Sequence, residues 1–141
     1  MRLAVLALTA ALMGGASVPT GQTPAASTKP DASETPSQFY VRYLAVIAHA
    51  SSLDEVLSLW RTPMANDFKQ APPDQRVDLD TLKRLYGRFT DVHVTGEQTG
   101  ASGGATVTLE GKGPDGKVHT GTAYLVKESG QWRLFSQEAW Q

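Results

Sequence analysis

An α+β fold, with N-terminal helices packed on a bent four-stranded antiparallel sheet, is predicted by a single change of hydrophobic period. Up to about Phe89, apolar residues recur at the spacing of amphipathic helices. After Phe89 they alternate with polar residues as in strands, and glycine-rich turns separate the alternating runs. Helices followed by hairpins indicate helices laid on one face of an antiparallel sheet around one core.

Residues 1–16 have the pattern of a secretory signal peptide. An apolar run from Leu3 to Met13 follows the positive Arg2, and small residues favour cleavage after Ala16 or a few residues later. The alternative is a membrane anchor, but a spanning helix needs about 20 apolar residues and this run is shorter. We therefore expect a secreted or periplasmic protein with no stable membrane insertion once the signal is removed.

Residues 17–35 are rich in Pro, Ser, Thr and Ala, and they are predicted to be a disordered linker. Residues 36–141 are then long enough for a single α+β domain. The chain contains no cysteine, which excludes disulfides, thiol catalysis and thiolate metal sites. With 13 basic and 14 acidic residues the net charge is −1, which gives no field to attract nucleic acid.

The first helix is predicted from Pro36 to about Ala50, with Thr35 or Ser37 as its N-cap. Arg42 and His49 are expected on its solvent side. Its apolar stripe consists of Phe39, Tyr40, Tyr43, Leu44, Ile47 and Ala50.

Three shorter helices follow. Ser52 to Glu55 forms a capping box at the start of the second, which carries Val56, Leu57, Leu59 and Trp60. The third begins at Thr62 and is stopped by Pro72-Pro73. The fourth runs from Asp78 to Tyr86 and ends at Gly87, and it is expected to bury Leu79, Leu82 and Leu85.

Four strands in meander order are predicted after the helices. They cover approximately residues 91–95, 105–110, 117–127 and 132–140. Gly113 to Gly116 has the composition of a tight turn between the second and third strands. The third strand is partly apolar on both faces, which is typical of a central strand or of one bulged near Gly121.

The closing segment, Gly130-Gln131-Trp132-Arg133-Leu134 followed by Glu138-Ala139-Trp140, comes after a helical half, a long strand and a tight turn. In this the chain resembles small exported members of the nuclear transport factor 2-like superfamily. The resemblance implies a cystatin-like cone of bent sheet around helices, a pocket between them, and often a dimer. Members include ketosteroid isomerase, dehydratases and polyketide cyclases, and also non-catalytic modules. No catalytic motif of the family matches this sequence, so no catalytic residue is carried over.

A cavity acid–base set is the sharpest catalytic hypothesis, and its candidates are Tyr40, Asp91 and His119. A tyrosine donor with a carboxylate or histidine base is sufficient for proton transfer next to a carbonyl. His119 shares strand parity with apolar residues, whereas His93 is expected to face solvent or a partner sheet. No pair of histidines has metal-ligand spacing, so neither a metal nor a cofactor is expected.

Aromatic residues give the ligand-binding hypothesis, whose candidates are Tyr40, Tyr43, Tyr124 and Trp132. Fully buried, these residues belong to the core; at a cavity mouth, they stack on an apolar ligand. We favour an exported non-catalytic module that binds a small apolar molecule in a helix–sheet cavity, or a protein partner, including a second copy, through the sheet face. The alternative is a cofactor-free isomerase, dehydratase or cyclase.

Overall fold

The computed structural model describes residues 33–136 and 138–141. The predicted signal peptide, 1–16, and the linker up to residue 32 lie outside the described residues. The helices are α1 (Pro36–His49), α2 (Leu53–Leu57), α3 (Thr62–Gln70) and α4 (Leu79–Gly87), with a 3-10 turn at Pro73–Gln75. The strands are β1 (Thr90–Thr99), β2 (Gly104–Lys112), β3 (Val118–Glu128), β4 (Gln131–Leu134) and β5 (Ala139–Trp140). The predicted α+β class is confirmed.

The sheet is antiparallel and open, with strand order β1-β2-β3-β4. The short strand β5 also pairs with β3, at Gly121 and Thr122, whereas β4 pairs with residues 125–128. The strands β4 and β5 therefore lie one after the other along the same edge of β3. The predicted meander of four strands is confirmed, and the last one is divided into two pieces.

The first turn of α1 anchors the start of the domain. The Thr35 hydroxyl accepts a hydrogen bond from the Gln38 amide, and the Gln38 side chain accepts one from the Thr35 amide, which completes a capping box. Just before it, the carbonyl of Glu34 accepts a hydrogen bond of 2.9 Å from Trp132 Nε1. Tertiary contacts of the domain thus begin before the predicted boundary at Pro36.

The expectation that Arg42 faces solvent is wrong. Arg42 is 4% exposed, and its Nε and Nη2 atoms donate to the two carboxylate oxygens of Glu34 at 2.7 and 2.8 Å. A buried guanidinium requires such a bidentate partner because an unpaired buried charge is costly. The residue that supplies it lies in the segment predicted to be linker, so helical periodicity alone did not reveal the pair.

Two local predictions for the shorter helices are corrected. In α4 only Leu82 is fully buried, Leu85 is 50% exposed, and Tyr86 packs against the core instead. Leu79, Leu82 and Tyr86 form the inward stripe because α4 turns this side toward α1. In α2 the Ser52 hydroxyl donates to Glu55 and caps no backbone amide, so the predicted capping box is incomplete.

Side chains along β2 and β3 alternate between the two faces of the sheet, and those on one face are buried against the helices. The buried members are Ala105, Val107, Leu109, Ala123 and Leu125. The register between β2 and β3 is unbroken, so the bulge suggested near Gly121 is not present. The irregularities lie in β1, between Thr90 and His93 and between Val94 and Gly96. Gly121 instead leaves space for the Trp140 side chain, which packs directly against it at the candidate site.

Candidate functional site

A cavity of about 180 Å³ lies between α1, α4, the start of β1 and β5. Its lining is mainly apolar and aromatic, and one carboxyl group reaches it. The lining residues are Tyr40, Leu44, Trp60, Val77, Leu82, Leu85, Tyr86, Arg88, Phe89, Val92, Glu138 and Trp140. A concave apolar site with few polar groups is the usual form of a small-molecule site.

Two glycines make room for the aromatic wall formed by Trp140. A Cβ on Gly121 would lie 2.8 Å from Trp140 Cδ2, and one on Gly111 would lie 3.2 Å from its Cη2. The indole therefore lies directly against the backbone of β2 and β3. On its other side it stacks on Phe89, with ring centroids 4.1 Å apart and planes inclined by 15°. This packing holds the wall of the cavity in place.

The polar part of the site is the Glu138 carboxyl group. The Tyr40 hydroxyl donates to Glu138 Oε1 at 2.7 Å, and the nearby Tyr86 hydroxyl acts to lower the pKa of this carboxyl. Tyr40 comes from the second turn of α1 and Tyr86 from the last turn of α4, so two helices fix the position of one acid.

A second set of hydrogen bonds links Tyr86 to the core. The Tyr43 and Tyr86 hydroxyls are 2.7 Å apart, and Trp60 Nε1 donates to the Tyr43 hydroxyl at 2.9 Å. The indole N–H can only donate, so the Tyr43 hydroxyl accepts from Trp60 and shares one further hydrogen bond with Tyr86. These contacts satisfy the three polar groups of this part of the core.

Burial determines the protonation behaviour of this network. Desolvation raises the pKa of Glu138 above its ordinary value of 4.5, although hydrogen bonds from Tyr40 and Tyr86 act in the opposite direction. Desolvation also raises the pKa of the Tyr40, Tyr43 and Tyr86 hydroxyls, which keeps them neutral donors at physiological pH. The site thus combines one titratable carboxyl with neutral phenols.

No cation of the chain neutralises Glu138 within residues 33–136 and 138–141. The ion pairs in this part of the protein join Arg42 to Glu34, Lys69 to Asp54, His93 to Glu110 and His119 to Asp115. Arg88 lines the cavity, but it is exposed and its guanidinium lies 4.9 Å from the Phe89 ring centroid rather than on the carboxylate.

The predicted ligand-binding residues do not share one cavity. Tyr40 lines the cavity described above. Tyr43 does not line this cavity, and its hydroxyl is hydrogen bonded to that of Tyr86, which does. Tyr124 is 46% exposed on the opposite face of the sheet, and Trp132 is buried beside Glu34. Strand parity explains the separation, because even positions of β3 face outward and even positions of β4 face inward.

The predicted catalytic candidates do not converge either. His119 lies at the end of the sheet, where its ring nitrogens contact Asp115 Oδ1 at 2.9 Å and the Gln141 carbonyl at 3.1 Å. The hydrogen bond with His119 lowers the pKa of Asp115. Asp91 is exposed, with a φ of 54° at the irregular start of β1. Of the three candidates, Tyr40 alone lines the cavity.

Sequence reasoning missed Glu138, Tyr86 and Phe89 as site residues. The seven-residue step from Leu79 to Tyr86 is compatible with one helix face, and it was the available signal for Tyr86. Glu138 carries no such signal, because it lies in the break between β4 and β5. Its neighbours Tyr40 and Tyr86 come from helices that lie 98 and 52 residues away in sequence.

Residues 33–136 and 138–141 contain no group of three or more side chains placed to ligate a metal ion. No helix among them has the length and apolarity to cross a membrane.

Comparison with known proteins supports the fold. No protein-family model matches the sequence, and no curated protein matches it. The structure is similar to the solution structure of a SEC-C motif-containing protein from Rhodopseudomonas palustris, with a TM-score of 0.51 and 17% sequence identity. The match covers 74% of this chain and 77% of that chain. At this identity the similarity concerns the fold alone, helices packed on an antiparallel sheet.

Proposed function

We propose that this chain is an exported, non-catalytic module that binds one small apolar molecule in the cavity between α1, α4 and the sheet. The aromatic-walled cavity of about 180 Å³ is the observation that carries the proposal. Export is proposed from the leader pattern of residues 1–16. We also propose the cone of the nuclear transport factor 2-like superfamily, supported by helices on one sheet face and by the irregular register of β1.

The volume limits the ligand to about one ring. An apolar cavity of about 150 Å³ is enough to bind benzene. Such a ring buries about 150–200 Å² of apolar surface, which contributes about 4–5 kcal/mol. This corresponds to a dissociation constant of about 1 mM before polar contacts are added. The binding assay must therefore reach millimolar ligand concentrations.

A matched pair of variants tests binding in this cavity. Toluene and benzene are titrated while the fluorescence of Trp60 and Trp140, which both line the cavity, is recorded. Val77→Phe fills the cavity and should abolish the response. Val118→Phe makes the same change on the outer side of β3, where Val118 is 70% exposed, and should retain it. A wild-type protein that responds to neither probe, with no chemical-shift change in the lining residues, contradicts the proposal.

A second candidate function is the cofactor-free isomerase, dehydratase or cyclase activity. The contact between Glu138 and Tyr40 favours it, because a carboxyl base beside a phenol donor matches proton transfer next to a carbonyl. Glu138 would take the proton α to a ketone while a tyrosine hydroxyl donates to the developing enolate oxygen. Conversion of cyclohex-3-en-1-one to its conjugated isomer tests this. Turnover must disappear in Glu138→Gln and persist in Glu110→Gln.

The outer sheet face is the proposed surface for a homodimer or another protein partner. Tyr124 and Phe135 are 46% and 43% exposed there, beside a row of threonines. Light scattering at increasing protein concentration tests this proposal. A dimer lost in Tyr124→Lys supports it, and a monomer throughout the concentration range contradicts the homodimer.

A further inference from the structure

The Glu138 carboxyl group is a half-buried acid whose compensating charge is missing from the described chain. Its hydrogen-bond partner Tyr40 and the nearby Tyr86 are neutral phenols. Among the described residues that line the cavity, Arg88 carries a positive charge, but it is exposed and forms no ion pair with Glu138. Buried carboxylates in proteins are normally paired with a cation, because hydrogen bonds from neutral groups compensate only part of the lost hydration.

The walls around this carboxyl are aromatic to an unusual degree. Tyr40, Trp60, Tyr86, Phe89 and Trp140 all line the same cavity of about 180 Å³. The faces of aromatic rings carry negative potential, and they attract an ammonium group that has lost its water. Apart from Glu138 and the exposed Arg88, the remaining lining is aliphatic and cannot accept hydrogen bonds from the N–H groups of an unsubstituted ammonium ion. Alkyl groups on the nitrogen would instead make apolar contacts with these aromatic and aliphatic walls.

We propose that the ligand of this cavity is a small organic cation, an alkyl-substituted ammonium whose charge pairs with the Glu138 carboxylate and whose alkyl groups contact the aromatic walls. This inference rests on the proposed binding function and adds one positive charge to the otherwise apolar ligand. A metal ion does not fit, since no three ligating side chains meet in the described residues. A neutral donor, such as a phenol, would leave the charge of Glu138 uncompensated.

The size of the cavity agrees with this class. A trimethylammonium group with a short side chain has about the bulk of a substituted benzene ring, which a cavity of about 180 Å³ accommodates. Longer polycations or cationic peptides do not fit inside. The carboxyl group at the wall fixes the cationic end, so a side chain on the ligand would point toward the exposed Arg88 at the rim.

An isosteric pair of ligands tests the charge directly. Choline and 3,3-dimethylbutan-1-ol have the same shape, but only choline is charged. Titration of the full chain, observed by NMR of the indole N–H signals, should show choline binding at least about tenfold more tightly than the alcohol. In Glu138→Gln most of this preference should be lost, because only the attraction of the aromatic walls for the cation remains, while the alcohol binds as before. Glu110→Gln, which removes an exposed carboxylate paired with His93 on the outer face, should keep the preference.

The outcomes separate this inference from the binding function on which it rests. If the alcohol and toluene bind but choline binds no more tightly, the cation inference is wrong and the binding function stands. If none of the three ligands binds, both are wrong. If Glu138→Gln retains the full preference for choline, Glu138 is not the partner of the charge, and the inference is again wrong.

Discussion

The contact of Trp140 with Gly121 leads to a quantitative prediction for the substitution Gly121→Ala. The added Cβ would lie 2.8 Å from Trp140 Cδ2 and 2.9 Å from Cε2 and Cε3. Carbon atoms in contact are normally about 3.5–4.0 Å apart. Phe89 stacks on the far side of the indole at 4.1 Å. The ring therefore has to move, and the wall of the cavity moves with it.

Gly96→Ala is the matched control for this substitution. Gly96 also lies in a strand, but a Cβ there would make only an ordinary contact of 3.5 Å with Thr108. Replacing glycine by alanine in a strand stabilises by about 0.5–1 kcal/mol when there is space. Overpacking costs about 1–3 kcal/mol. The free energies of unfolding of the two variants should therefore differ by about 1–3 kcal/mol, with Gly121→Ala the less stable.

Urea unfolding followed by far-ultraviolet circular dichroism measures this difference. The slope of the transition should be the same in both variants, so that the midpoints report stability. In the folded state, Gly121→Ala should also change the tryptophan emission and weaken toluene binding, whereas Gly96→Ala should do neither. Equal stability of the two variants, with unchanged toluene affinity, would refute the placement of Trp140 against β3.

Three further predictions concern the anchoring of the domain and its response to pH. Glu34→Gln should destabilise the fold by about 3–5 kcal/mol in urea unfolding, because it leaves the buried Arg42 charge without its partner. Asp54→Asn, which breaks an exposed pair with Lys69, should cost at most about 1 kcal/mol. Thr35→Ala removes the capping hydroxyl and should cost about 1 kcal/mol. Because desolvation raises the pKa of Glu138, the folded state binds its proton more tightly than the unfolded chain. The resulting stability is present below about pH 4.5 and is lost as the pH rises through the folded pKa. Glu138→Gln should therefore gain stability relative to wild type as the pH rises above about 4.5, and equal pH profiles would contradict the raised pKa.

The order and type of the elements followed from local pattern. The N-cap of α1 and the turn at Gly113–Gly116 each depend on residues a few positions apart. Such interactions form within one segment whatever the rest of the chain does. The inward face of β2 also followed, because side chains alternate along an extended strand, whereas the sequence of β3 is partly apolar on both faces and left its inward face open.

The positions of single side chains relative to other segments did not follow from pattern. Arg42 had the spacing of a solvent-facing residue, yet Glu34 pairs with it in the core. Leu85 and Tyr86 are neighbours on α4, and only the packing of α4 against α1 determined which one faces inward. Both outcomes depend on the angle at which one element meets another, which periodicity within an element does not contain.

The sequence by itself determined an α+β domain with helices first and an antiparallel meander second, because hydrogen bonding and side-chain alternation within each segment are local. The tertiary structure alone decided that Glu138 lies half-buried beside Tyr40 and Tyr86, and that Trp140 packs over Gly121 at the cavity wall. These contacts join different secondary-structure elements. Their energies arise from desolvation and close packing, which exist only after the helices have docked on the sheet.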